Sequence, residues 1–340
     1  MNSPARLIRP LVVAAFALAF IVVVLGAYVR LSAAGLGCPD WPGCYGHLTP
    51  TGAVQAAVSG GLDGATVEVG KAWREMIHRY AAGTLGLIIL VITALAIQYR
   101  REQLLPVSTA LGLLGLVLVQ AILGMLTVTW QLKPLIVTLH LLFGLTTLSL
   151  LWWLTLTLSR RRARAWRTAT PFLGSSLPRT RRLALVALVA LGLQLALGGW
   201  TSSNYAAIAC PDVPKCQGAW WPSAMDGGNA FILWRGLGVN YEGGVLAQPA
   251  RVAIHFAHRL GALAATVALL LAAIRVLRIR SDRFARRAAI SVLGALGLQL
   301  TIGISMVAYG FPLWIATAHN AGAALLLLAV VALNRALRPA

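Results

Sequence analysis

Two short sequences, one in each half of the chain, place ionisable side chains near the start of long apolar segments. The first is EMIHRYAAG, which begins at Glu75, and the second is HFAHRLGA, which begins at His255. Carboxylates, imidazoles and guanidinium groups are costly in hydrocarbon, so their presence there normally indicates a functional site. Imidazoles can ligate a metal, and imidazoles and carboxylates can transfer protons. The recurrence indicates that the chain builds such a site twice.

The composition of the chain is that of a membrane protein. Hydrophobic residues make up 59% of the 340 residues and charged residues only 11%, which is unlike a soluble domain. Eight segments are long and apolar enough to cross roughly 30 Å of hydrocarbon. The sequence predicts an all-α, polytopic membrane protein whose first helix is retained rather than cleaved as a signal peptide. The eight predicted helices are 11–30, 76–98, 106–129, 134–158, 183–203, 252–274, 287–309 and 314–336.

The basic residues indicate how the chain is oriented in the bilayer. The net charge is +20, and most arginines lie in the two terminal tails and in alternate connecting loops. They are not interleaved with stacking aromatics, which argues against a nucleic-acid partner. By the positive-inside rule both termini are expected in the cytoplasm. Two long loops, 31–75 and 204–251, are then expected on the outer face, and they contain all four cysteines.

An internal repeat relates the two halves of the chain. CPDWPGC at Cys38 returns as CPDVPKC at Cys210, and the HRYAAG, QAILG and TLHLLFG strings of the first half return in the same order in the second. We expect two parallel four-helix bundles related by a pseudo-two-fold axis along the membrane normal. The predicted division is an N-terminal bundle over 1–158, a basic cytoplasmic linker over 159–182 and a C-terminal bundle over 183–340.

Four histidines fall at one predicted depth, on the second and fourth helices of each repeat. His78, His140, His258 and His319 all lie within about two turns of the outer helix ends, roughly 3 to 10 Å deep. A lone membrane histidine usually makes a hydrogen bond between helices, but here each repeat offers a facing pair of nitrogen ligands. No zinc-type set of carboxylates or thiolates accompanies each pair, so two axial imidazoles on one haem iron fit best. The sequence predicts two haem sites.

Neighbouring residues suggest how such sites are completed. Arg79 and Arg259 can pair bidentately with haem propionates, or can extend to the lipid head groups. The glycines of the repeated motifs would permit close approach between helices, or between a helix and a flat macrocycle. These glycines are Gly83, Gly124, Gly261 and Gly303.

The two copies differ three residues before the first histidine of each pair. Glu75 precedes His78 on the same helix face, and His255 occupies the corresponding place before His258. A substrate site beside an electron-transfer site would differ in this way. Glu75 is therefore a candidate proton donor or acceptor, and the alternative is a carboxylate that caps the first helical turn.

The cysteines of the outer loops predict two short disulfides, Cys38–Cys44 and Cys210–Cys216. Their spacing does not match the usual zinc patterns, and the outer side of the membrane is oxidising. Each bond could brace its loop or exchange thiols and electrons with a partner. Nearby tryptophans suit either an interfacial lid over a hydrophobic ligand or an aromatic belt. They are Trp41, Trp73, Trp220, Trp221 and Trp234.

The strings GAYVRLSAAGLGCPDWPGC, EMIHR and IHFAHR resemble those of the bacterial haem A synthase family, over almost the whole chain. The resemblance implies an inner-membrane enzyme that oxidises the C8 methyl of haem O to the formyl of haem A by successive hydroxylations. It implies a haem b cofactor on His258 and His319 in the C-terminal half. Substrate haem O and product haem A would lie in the N-terminal half between His78 and His140, with Glu75 and the first cysteine pair taking part.

The resemblance also implies partners, namely the haem O synthase and the oxidase assembly machinery; the sequence does not identify the electron acceptor. Arg30 has no counterpart in the second half, where Ser202 aligns, which is consistent with one catalytic half. His255 is an alternative ligand to His258. Two other functions stay open from the sequence, a quinol-linked di-haem b electron carrier and a haem transporter or chaperone.

Overall fold

The computed structural model describes residues 5–59, 68–102, 105–164, 177–279 and 283–338, and these ranges are all-α apart from isolated β-bridges. The predicted all-α class is confirmed. Ten α-helices lie in this part of the chain. They are α1 (Ala5–Leu31), α2 (Pro50–Ser59), α3 (Val69–Gln98), α4 (Val107–Thr129), α5 (Pro134–Arg164), α6 (Leu177–Ser203), α7 (Gly227–Ala230), α8 (Gln248–Arg278), α9 (Arg283–Ala308) and α10 (Leu313–Ala336).

Eight of these helices, all except α2 and α7, are long and apolar enough to span a bilayer. This confirms the predicted number of spans, and the chain is a multi-pass membrane protein. Many of their leucines stay exposed, among them Leu87, Leu193 and Leu263, each more than 60% accessible. Helices that are apolar on the outside as well as the inside suit a lipid environment rather than water.

The start of α3 differs from the prediction in a way that matters for the site. The helix begins at Val69 rather than at residue 76, because the polar stretch before the apolar run is also helical. Glu75 therefore lies in the second turn and is 5% exposed. Only the first turn offers unpaired N–H groups to a capping side chain, so the capping alternative for Glu75 is wrong.

The chain divides into two compact units. The first contains Met1–Leu148 and Leu233–Val245, and the second contains Ser149–Ile232 and Leu246–Ala340. Within the first unit, α3 packs against α1 and α4. Within the second unit, α6 packs against α8 and α10, and α9 also packs against α8 and α10. Much of the predicted linker 159–182 lies outside the described residues, since 165–176 are not described, and the three-part division stays a prediction.

The two cysteine loops have the same local structure in each unit. Disulfides join Cys38 to Cys44 and Cys210 to Cys216, as predicted. Asp40 accepts hydrogen bonds from the backbone N–H groups of Tyr45 and Gly46. Asp212 accepts the corresponding bonds from Gln217 and Gly218, and these bonds, the one from Gly218 foremost, hold the pKa of Asp212 below its ordinary value. The shared turn supports duplication of the chain.

Candidate functional site

The first unit brings together the two histidines that the sequence predicts as a pair. His78 on α3 and His140 on α5 have ring centroids 6.5 Å apart, with their planes inclined at 78°. Two imidazoles that bind one metal ion from opposite sides, each with a metal–nitrogen distance of about 2 Å, have centroids roughly 6 Å apart. The observed separation is compatible with two ligands of one ion, and it also lies within the range of an edge-to-face ring contact.

Glycines on neighbouring helices leave room for each imidazole. A Cβ atom added at Gly26 on α1 would lie 2.9 Å from the Cε1 atom of His78, and one at Gly124 on α4 would lie 3.5 Å from that of His140. In the second unit the corresponding distances are 3.2 Å from Gly198 to His258 and 3.0 Å from Gly303 to His319. A Cβ atom in this glycine cradle would therefore crowd His78, His258 and His319, whereas at Gly124 it would make an ordinary contact with His140.

Two of these cradle glycines, Gly26 and Gly198, were missed by the sequence analysis. The internal repeat could have identified them, since Gly26 precedes Cys38 by the same number of residues as Gly198 precedes Cys210. The other predicted glycines differ in role. A Cβ atom at Gly261 would lie 2.4 Å from the Gln194 Oε1 atom, whereas one at Gly83 would meet nothing within 4 Å.

The histidines of the second unit contact glutamine side chains. The Gln194 Nε2 group donates to the His258 carbonyl oxygen at 3.0 Å and lies 3.0 Å from the His258 Nδ1 atom. The Gln299 Nε2 atom lies 3.3 Å from both ring nitrogens of His319. In the first unit Gln120 donates to the His140 carbonyl oxygen at 3.0 Å.

The donor set of both units fits a haem. The side chains of His78, His140, His258 and His319 keep partial exposure, so space remains beside each of them. The Nδ1 atoms of His78 and His140 have no hydrogen-bond partner among the described residues. Within those same residues no group of three or more His, Cys, Asp or Glu side chains could hold a metal ion alone. A pair of imidazoles in an open cradle suits an iron that already has four ligands from a porphyrin.

Glu75 is held between the first cysteine loop and α3. Its Oε2 atom accepts a hydrogen bond from the Cys38 N–H at 2.9 Å, and its Oε1 atom forms an ion pair with Arg79. The disulfide packs against the same helix, in a buried cluster with Ala72 and Met76. The first unit therefore fixes a buried carboxylate one turn from His78.

His255, which aligns with Glu75, has a different environment. It is 4% exposed, its ring lies within hydrogen-bonding reach of the backbone of Ala206 and Ala207, and its Nδ1 atom has no partner among the described residues. His258, in contrast, is near enough to His319 to interact electrostatically. The pairing of His258 rather than His255 with His319 stays a prediction.

The two arginines after the HR motifs tie the cysteine loops to the helices. Arg79 donates to the carbonyl oxygens of Asp40 and Gly43 in addition to its ion pair. Arg259 donates to the carbonyl oxygens of Lys215 and Cys210 at 2.7 and 3.0 Å. Pairing of either guanidinium with a haem propionate stays a prediction.

The predicted tryptophans divide between the units. Trp220 and Trp221 are about 70% exposed in the second unit, where Trp221 meets Phe256 edge to face. Trp234 belongs to the first unit, where it contacts Trp130 edge to face and lies against the Lys133 ammonium group. Sequence analysis missed Lys133, because a single lysine in a short connection between two spans resembles any interfacial cation.

The fold and its sites define a multi-pass membrane protein with a histidine pair in each of two helical units. The chain belongs to the COX15-CtaA family of cytochrome oxidase assembly proteins, whose family model matches residues 9–331. It is 43% identical over 316 residues to a protein of Shewanella oneidensis named Heme A synthase, covering 92% of each chain. It is also 32% identical over 120 residues to the Heme A synthase of Erythrobacter litoralis, covering 32% of this chain and 33% of that one.

Proposed function

We propose that the protein acts as a haem A synthase, oxidising the C8 methyl of haem O to a formyl group by successive hydroxylations. The observation that carries this proposal is the asymmetry between otherwise similar histidine sites: a buried carboxylate, Glu75, accompanies the first pair, and no described residue of the second unit provides a buried carboxylate. Family membership and the name of the Shewanella oneidensis relative support the same function.

His258 and His319 are proposed to hold a resident haem b, and His78 and His140 to hold the substrate. The bound haem b would supply one-electron redox chemistry. Gln194 and Gln299 lie beside the rings of the second pair, and an imidazole that ligates iron through one nitrogen could donate its other N–H to the glutamine amide oxygen, which would restrict ring rotation as suits a permanent cofactor. In the first pair, the His78 ring has a hydrogen bond with the Val22 backbone instead of a glutamine contact, and Gln120 contacts the backbone rather than the ring of His140.

Glu75 is proposed to accept and return protons in the first unit. The Cys38 N–H and Arg79 hold its two oxygens in place, and burial keeps bulk water away from them. A general acid or base must be positioned before its proton affinity matters, and these contacts provide the positioning. Arg79 also neutralises the carboxylate, so this charge is buried as a pair.

The orientation and partners are part of the proposal. The arginine-rich tails and loops support cytoplasmic termini in a bacterial inner membrane, with the cysteine loops on the outer face. Haem O is the proposed substrate, and the haem O synthase and oxidase assembly machinery are the expected partners. The bond from the Tyr241 N–H to the Gln131 carbonyl oxygen supports this topology, because it joins the second long loop to the α4–α5 turn, which the same topology places outside.

Pigment extraction tests the function. Cells that make this chain together with a haem O synthase are expected to accumulate haem A, and purified protein is expected to keep one tightly bound b-type haem. A di-haem carrier would instead hold two equivalent b-type haems and leave haem O unchanged. Unchanged haem O would also be the result for a transporter or chaperone, and it would contradict the proposal.

A further inference from the structure

Lys133 is a buried cation in the connection between α4 and α5. Its side chain is 1% exposed, and its Nζ atom has no hydrogen-bond partner among the described residues. Burial lowers the pKa of this ammonium group. An ammonium group without a partner is one of the most costly groups to bury, so the position calls for a compensating interaction.

The surroundings of Lys133 provide part of that compensation. The Nζ atom lies 3.3 Å from the ring centroid of Trp234 and 5.5 Å from that of Trp130, and the two rings meet edge to face at 5.7 Å. Aromatic faces attract a cation but offer it no hydrogen-bond acceptor. The ammonium group therefore faces the Trp234 ring but has no hydrogen-bond acceptor among the described residues.

A segment from the second outer loop encloses this position. Residues Leu233–Val245 belong to the first unit, and the Tyr241 N–H donates to the Gln131 carbonyl oxygen at 3.0 Å. Tyr241 is 1% exposed, and its hydroxyl donates to the Gly236 carbonyl oxygen. The cation is thus enclosed by a folded loop rather than left at a free lipid interface.

Helix geometry relates Lys133 to the histidine pair. The Lys133 carbonyl oxygen accepts the Val137 N–H as the first bond of α5, and His140 lies two helical turns further along the chain. Lys133 immediately precedes α5, so its Cα position lies about two helical turns, roughly 10 Å along the axis, from that of His140. Lys133 stands at the start of the helix that carries His140.

The second unit carries no cation at the aligned position. The alignment that pairs His140 with His319 places Pro312 at the position of Lys133. The arginines that the two units share, Arg79 and Arg259, donate to backbone carbonyl oxygens of the cysteine loops. Lys133 is therefore an additional positive charge on the side of the first histidine pair alone.

We propose that the Lys133 ammonium group binds a carboxylate of the haem substrate held by His78 and His140, under the loop Leu233–Val245. The inference rests on the proposed function and adds a substrate-recognition residue to it. A haem presents two propionate carboxylates at one edge, and a charge-assisted hydrogen bond from a buried ammonium would select for them. The site would discriminate between haems with free and with esterified carboxylates.

The test compares binding of two probes, protohaem and protohaem dimethyl ester, to full-length protein in detergent. Both are titrated into protein that retains its second-unit haem, and uptake is followed by the change in Soret absorption. The wild type is expected to bind the free acid about tenfold to a hundredfold more tightly than the ester. Lys133→Met is expected to abolish this preference, and Lys133→Arg to retain most of it.

Lys215→Met is the matched control, since Lys215 is an exposed lysine of the second cysteine loop; it should bind both probes as the wild type does. Undiminished absorption from the second unit shows that each variant is folded. A Lys133→Met protein that keeps the full preference for the free acid would overturn the proposal. Uptake that is unaffected by replacing His78 and His140 would overturn the proposed function itself.

Discussion

The two units use the same scaffold for two sites that differ in their ionisable groups. In each unit a glycine cradle faces a histidine pair, and an arginine ties a disulfide loop to the helix of the first histidine. The first unit adds charged residues near that pair, and the second replaces them with neutral ones. The aligned differences in charge are Glu75 for His255, Lys133 for Pro312 and Arg30 for Ser202; in addition, the second unit has Gln194 where the first has Val22.

The comparison of the two units distinguishes residues that would bind a haem from residues that would take part in a reaction of the haem. Under the proposed function, the features that the units share would hold an iron porphyrin between imidazoles. What the first unit adds is a buried, positioned carboxylate and a buried cation, and these are the groups that proton transfer and recognition of carboxylates require. Duplication followed by divergence at a few ionisable positions would therefore produce one reactive site and one electron-transfer site.

The largest expected effect comes from removing the carboxylate. Glu75→Gln keeps an acceptor for the Cys38 N–H but cannot take a proton, so conversion of haem O should fall about a hundredfold to ten-thousandfold. Second-unit haem b should stay at the wild-type level. His255→Gln is the aligned control and should convert haem O normally; a similar loss in both variants, measured by pigment extraction, would contradict the assigned asymmetry.

Filling the glycine cradle of the first unit should have a smaller effect, a loss of haem affinity in that unit. An alanine at Gly26 brings its Cβ atom to 2.9 Å from His78, so the ring must move, and first-unit haem affinity should fall by about tenfold or more. Gly83→Ala is the control because nothing lies within 4 Å of its Cβ atom. Soret titration measures the first-unit haem affinity of both variants. Equal affinities in Gly26→Ala and Gly83→Ala would show that the cradle does not position His78.

Removing the two disulfides should cost similar stability but different activity. Replacing either cysteine pair with serine should lower the free energy of unfolding by about 2 kcal/mol. Only the Cys38 and Cys44 replacements should also slow conversion, since the backbone of Cys38 holds Glu75. Thermal unfolding and conversion are measured together for both variants. Equal conversion of haem O in the two cysteine-pair variants would show that the first loop does not hold Glu75 in place for catalysis.

The smallest expected effect concerns the glutamine of the second unit. Gln194→Leu removes the polar contact with the His258 ring, a change of about 1 kcal/mol in favour of one oxidation state. For a one-electron couple this corresponds to roughly 40 mV in the midpoint potential of the haem b. Gln120→Leu is the control, because Gln120 contacts the backbone of His140 in the other unit. Identical redox titrations would contradict a positioning role for Gln194.

Local patterns were enough to predict the eight spans, the all-α class and both disulfides, because hydrophobic length and cysteine spacing are local signals. Polar residues at matching places in the repeat also predicted the histidine pair of the first unit, whose rings lie 6.5 Å apart. The early start of α3 was missed, since residues 69–75 have no continuous apolar run and are stabilised by contacts with the first cysteine loop.

Long-range packing accounts for what the sequence could not predict. Nothing in the composition of Leu233–Val245 indicates that it belongs with the first half of the chain, and the burial of Lys133 depends on that packing. The contact of Gly26 with His78 joins residues that are distant in the sequence and lie on different helices. Such contacts follow from tertiary structure and leave no periodic signal in a single sequence.

Quantifying haems by type in two double-histidine variants tests the central claim most directly. Protein is purified from cells that supply haem O, and its pigments are measured for the wild type, for His258→Ala with His319→Ala, and for His78→Ala with His140→Ala. The first double variant is expected to lose haem b, and the second to keep haem b but contain neither haem O nor haem A. Haem b that survives loss of His258 and His319 would contradict two separate histidine-held haem sites.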